Sequence, residues 1–148
     1  MTRKRKRDPD EPRTRLEWAD YHRSHGNYTE AEKIYREMLG PPGQPCGPDD
    51  LYSLRFLPGL AKSLRELGRL AEAGTFYQAG IKLHEKKVNR DPYHERELRQ
   101  DYAVCLRRMT RESEAVEQER LAKALDKECD KNFMEVVRRG RPGGRNSR

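Results

Sequence analysis

The sequence predicts an all-α fold: an α-solenoid of about three antiparallel helix hairpins followed by a C-terminal capping helix. Three observations carry this expectation. The first is a pattern that returns every 42 residues, linking Ala19, Ala61 and Ala103, then Glu30, Glu72 and Glu114, then Ala31, Ala73 and Ala115. The second is punctuation at the same step: Gly26, Gly68 and, in third place, Thr110, while Tyr35 and Tyr77 are followed by Glu119. The third is the recurrence of apolar residues at i, i+3, i+4 and i+7 within each period, the spacing of one helical face. A fixed period of this length marks a supersecondary unit that cannot bury its apolar face alone and must stack on its neighbours. The expected organisation is a basic disordered tail over 1–12, a repeat domain over 13–126 with hairpins near 13–39, 51–88 and 93–126, a capping helix over 127–139, and a basic Gly/Arg tail over 140–148.

In the first unit, Leu16, Ala19 and Trp18 are candidates for one helical face, and the pattern halts at Gly26, a residue suited to the left-handed closure of a last turn. Tyr28, Ala31, Ile34, Tyr35, Met38 and Leu39 then define a second helix, with Asn27 or Thr29 available to cap it and Glu30 and Glu32 near its positive end. The Pro/Gly loop 40–50 ends at Asp49 and Asp50, a helix-start signal. Residues 49–57 read as a short separate helix or extension, with the main helix restarting at Pro58, because proline inside a helix removes a bond and clashes with the preceding turn. Leu60, Ala61, Leu64 and Leu67 line the next helix, and Leu70, Ala73, Phe76, Tyr77, Ala79 and Ile81 line its partner. Asp91 and Pro92 read as an N-cap followed by a first-turn proline. The third unit is degenerate at Thr110 and Glu119; a polar residue on an inter-layer face marks a terminal repeat. Phe133, Met134, Val136 and Val137 then supply the capping helix.

The composition fits a thin stack. With 33% hydrophobic and 39% charged residues the chain is poor in apolar surface for a compact globule, but each solenoid layer buries only a stripe. Residues 1–15 hold seven Lys/Arg against three acids and residues 138–148 hold five Arg and no acid, so the net charge of +7 resides in the ends. Solvated tails are the plain reading of this distribution, and binding to nucleic acid the sharper one. No apolar run has the length of a membrane span, and no secretory pattern follows the basic start, so the expectation is a cytoplasmic protein, or a nuclear one in a eukaryotic host given RKRKR at 3–7. Cys46, Cys105 and Cys129 lack paired spacing and read as structural thiols.

The run Ala61, Leu64, Gly68, Leu70, Ala73 and Tyr77 resembles the signature of tetratricopeptide repeats, in the longer kinesin-light-chain-like variety, and the resemblance spans roughly 14–126. It implies an α-solenoid whose first helices line a concave groove for an extended or helical peptide, and it implies no catalysis. Carried over by register, the groove positions would include Arg13, Asp20 and Arg23, then Arg55, Lys62 and Arg65, then Gln100, Arg107 and Arg108. Across the groove set, with Leu16, Ser24, Pro58, Glu66, Glu97 and Val104 added, basic residues outnumber acidic ones by seven to three, whereas Glu30, Glu32, Glu72, Glu114 and Glu117 fall on second helices. This polarity implies a protein partner presenting an acidic segment. Where some family members clamp a terminal carboxylate with asparagines, Asp20 and Lys62 stand here, so that activity is not carried over.

His22 and His25 share a helical face, but no carboxylate or thiol of suitable spacing completes a metal site. Nucleophile motifs, phosphate-cradling loops and zinc patterns are missing from the sequence, so the expectation is a non-enzymatic scaffold without a cofactor. The alternative is a nucleic-acid-associated protein that binds through its tails while its repeats serve assembly. Self-association through the repeat ends is a further expectation, because a short array exposes two end faces.

Overall fold

The computed structural model describes residues 11–140, and among these every regular element is helical. Six α-helices follow one another: α1 (Arg15–Ser24), α2 (Tyr28–Met38), α3 (Leu57–Glu66), α4 (Leu70–Lys86), α5 (Pro92–Arg108) and α6 (Glu112–Gly140). A 3-10 helix over Leu51–Arg55 precedes α3, and it is the separate short element expected there. The basic runs within 1–10 and 141–148 lie outside the described residues. The chain divides into two compact units between Gly80 and Ile81, inside α4.

The 42-residue step is written into the backbone of three turns. Gly26 and Gly68 have φ of +79° and +81°, and Thr110, their counterpart, adopts the same left-handed conformation at +60°. In the first turn the Gly26 N–H donates to the Arg23 carbonyl and the Asn27 N–H to the His22 carbonyl, at 3.2 and 2.8 Å. Forty-two residues on, Gly68 bonds to Arg65 and Arg69 to Leu64; a further step on, Thr110 bonds to Arg107 and Arg111 to Leu106. Each first helix is thus closed by the same pair of bonds from beyond its end, which satisfies carbonyls that the helix leaves unpaired. Thr110 is degenerate in sequence but not in conformation.

In the first unit α1 packs on α2 and α2 on α3. Ala19 and Ala31, Tyr35, Phe56, Leu57, Leu60, Ala61, Leu64, Ala73 and Tyr77 are fully buried, so small residues permit close helix approach while the two tyrosines fill the remaining space. Pro58 sits in the first turn of α3, where its missing N–H costs nothing. Gly59 follows because a Cβ there would lie 2.5 Å from Cζ of Tyr35. The loop before α3 is organised by its aspartates: Asp49 accepts from the Gly43 N–H at 2.9 Å, and Asp50 accepts from Cys46 at 2.7 Å and caps the 3-10 helix through the Tyr52 N–H at 3.2 Å.

In the second unit α5 packs along α6. Asp91 caps α5 by accepting from the His94 N–H, and Pro92 occupies the first turn as expected. Leu98, Tyr102, Ala103, Cys105 and Leu106 on α5 are buried together with Ala115, Ala122, Leu125 and Cys129 on α6, which places Cys105 in the core. Two charged groups are buried with them: Glu95, 1% exposed, accepts from Arg90 at 2.7 Å and from the buried Arg99 at 3.1 Å, and Arg99 also reaches Glu85 and Gln118. The expected capping helix over 127–139 is not a separate element. α6 runs unbroken from Glu112 to Gly140, since nothing between 126 and 128 breaks a helix, and Phe133, Met134, Val136 and Val137 are exposed rather than covering a core.

Candidate functional site

The nine residues singled out on the first helices separate into two kinds. Arg23, Arg65 and Arg107 are one position written three times, at the last turn before each left-handed residue. Arg23 donates through Nε to the Tyr35 hydroxyl at 3.3 Å, and that hydroxyl donates to Asp20. Burial, with the bond to Asp20, holds the Tyr35 hydroxyl far above its ordinary ionisation range. Arg107 makes the corresponding link to Glu119, the residue standing in the tyrosine position, and bonds Glu112 at 3.2 Å as well. Those two carboxylates hold its guanidinium firmly in the charged form, and Arg107 in turn pulls the Glu119 carboxyl below the usual range.

Arg23 and Arg107 therefore tie first helix to second helix within their hairpins, Arg23 half-buried and Arg107 exposed. Arg65 is 7% exposed, buried beside Glu66 with Nε 3.2 Å from its carboxylate, and cannot be a docking residue. Glu119 remains partly exposed while its carboxylate accepts from Arg107. Asp20 is half-buried and belongs to the Tyr35 link.

Arg13, Arg55, Lys62, Gln100 and Arg108 remain at the surface, Lys62 half-exposed and the others exposed. Arg13 and Arg55, one period apart, stand at the entrances of α1 and α3. Arg55 lies 4.9 Å over the ring of Tyr52, which is half-exposed, so this cation and aromatic face form a ready surface platform. An open depression of about 600 Å³ gathers Arg13, Asp20 and Arg23 with Glu17, Tyr21 and Ser24. Gln100 and Arg108 belong to α5 in the second unit.

One surface feature went unmarked among the candidates. Trp18, Tyr21 and His22 on α1 and His25 at its C-cap form a continuous ladder of rings, with centroids 5.7 Å apart for Trp18 and Tyr21 and 4.1 Å apart for Tyr21 and His25. The signal was available by register. Trp18, Tyr21 and His22 correspond to Leu60, Ser63 and Leu64 and then to Tyr102, Cys105 and Leu106, all buried, whereas Trp18 and Tyr21 are 37% and 41% exposed.

Four of the five acidic residues singled out on second helices pair with neighbouring arginines, Glu30 being the exception. Glu32 and Glu72 alternate with Arg36 and Arg69 in a four-member ring, while Glu114 pairs with Arg111 and Glu117 with Arg120. Among the described residues no group of three His, Cys, Asp or Glu side chains is placed to hold a metal ion, and no helix is long and apolar enough to cross a membrane. The chain matches no protein-family model and no curated protein.

Proposed function

We propose that the protein is a non-enzymatic interaction scaffold, its hairpins stacked as tetratricopeptide-like repeats in an α-solenoid, that docks an acidic segment of a partner protein on its first helices. One observation carries the reading most: with Arg23 and Arg107 bonded within their hairpins and Arg65 buried, the surface positions Arg13, Arg55 and Lys62 still present cations along the first-helix side of the first unit. Glu32 and Glu72 on the second helices of the first unit are paired with Arg36 and Arg69, which leaves their charge balanced locally.

The test is affinity capture from nuclease-treated lysate with the full chain and with an Arg55→Glu, Lys62→Glu variant, followed by titration of the captured partner's acidic segment. Neither residue is buried, so the variant should keep its helical circular dichroism. Loss of the segment by at least about tenfold in affinity supports the reading. Capture indifferent to both substitutions, or abolished by the nuclease alone, would move the activity to the tails and overturn it.

A further inference from the structure

The two helices of the second unit are unequal. α5 has 17 residues and α6 has 29, and their side chains are tied near the far end by the Arg96–Asp126 bond at 2.9 Å. α5 therefore runs out beside Cys129, the last buried residue of α6. Residues 130–140 continue for three turns, roughly 16 Å at 1.5 Å per residue, and every one of them is exposed. The face that buries Ala122, Leu125 and Cys129 does not end there. At helical spacing it passes directly into Phe133, Val136 and Val137, flanked by Met134, which are between 37% and 68% exposed. A seam that α5 covers as an antiparallel helix thus extends beyond the end of α5 without its cover.

The balance of charge shifts along α6 from Asp126 onward. Asp126, Glu128 and Asp130 outnumber Lys127 and Lys131 at the start, and Arg138 and Arg139 outnumber Glu135 at the end. A second copy of the same helix running the opposite way sets the more acidic start against the more basic end. With a two-fold axis near Phe133 and Met134, Asp130 lies opposite Arg138 of the partner subunit and Glu128 opposite Arg139 of the partner subunit, while the phenyl rings meet at the axis. Among the described residues Asp130 and Arg138 make no ion pair of their own, and Arg139 is engaged only by Glu135 one turn earlier.

We propose that the overhang of α6 is a self-recognition element, on which a second copy of this chain docks antiparallel about a two-fold axis. The second copy occupies the place that α5 would fill were it longer, so both its direction and its apolar face are those the seam already accepts. Three turns give an interface below the size of standard stable complexes, so the dimer forms and dissociates with protein concentration. The site is separate from the first-helix surface, and binding there does not depend on it.

Sedimentation velocity of the full chain over rising concentration reads the proposal directly. Wild type should pass from monomer to dimer and go no further. Phe133→Asp, and independently Val136→Asp, should weaken the dimer by at least about tenfold with unchanged circular dichroism, because both side chains are exposed. Arg138→Asp should weaken it as well, and the double variant Asp130→Arg, Arg138→Asp should restore it, since a two-fold axis exchanges the two positions. A chain that stays monomeric at its solubility limit overturns the proposal, as does a dimer indifferent to Phe133→Asp or a charge reversal that restores nothing. Co-sedimentation of a monomeric wild type with phosphatidylserine vesicles would assign the overhang to an anionic lipid surface instead and equally overturn it.

Discussion

Thr110 shows how far a backbone requirement outranks a side-chain preference. A β-branched residue at φ +60° is strained, yet the bonds from Thr110 and Arg111 back to α5 hold it there. Thr110→Gly should stabilise the chain by about 1 kcal/mol, and Gly68→Ala should destabilise it by about 1–2 kcal/mol, both measured by urea unfolding. Gly59 is held by a different constraint. Alanine would normally favour a helix, but its Cβ would press on a Tyr35 ring that Asp20 and Arg23 prevent from retreating. Gly59→Ala should therefore cost about 1–2 kcal/mol in the same measurement. His84 is 3% exposed, its Nδ1 has no hydrogen-bond partner among the described residues, and burial, reinforced by the charge of Lys87, depresses its pKa below the ordinary 6.5, against the opposing pull of Glu95 and Asp91. Protonation is thus easier in the unfolded chain, so this residue's share of stability is present above about pH 6.5 and declines as the pH falls below it. Thermal midpoints from about pH 7 to pH 5 should fall less steeply in His84→Leu than in wild type.

Among the elements, the hairpin boundaries were legible because capping and turn chemistry are local: Asp91 with Pro92, Gly26, Gly68 and the aspartates before α3 act within a few residues of the bonds they make. The Arg–Tyr and Arg–Glu ties were not legible. Arginine at 23 and 107 is equally suited by periodicity to a groove, and only the three-dimensional position of the second helix brings Tyr35 and Glu119 within reach. The end of α6 was misread for a related reason: an apolar stripe states that a face wants cover, not that the chain supplies it. Because residues 130–140 are all exposed, a chain ending at Cys129 should unfold at the same temperature as the full chain at concentrations where the full chain is monomeric, and lose only helical circular dichroism signal.

For the molecule as a whole, an all-α architecture was written in the sequence, since period, alanine placement and apolar spacing all point one way, and the alanines at 19, 61, 103, 31, 73 and 115 are fully buried. The candidate site was legible only in part. Surface charge is read from composition, but which cations remain available depends on the acids brought beside them, and Arg36, Arg69, Arg107, Arg111 and Arg120 are all taken in this way.

The contact between Tyr35 and Gly59 has a bearing on growth by duplication. It is how α2 meets α3 within the first unit: a ring on one side, a bare backbone on the other. The ring and the bare backbone are not repeated as a pair: one period on, Tyr77 keeps the ring while Asp101 stands at the glycine position, and one period before Gly59 stands Glu17. A segment exchanged for its counterpart by period alone would set a carboxylate against the Tyr35 ring, so the units of this chain share a rhythm without being interchangeable parts.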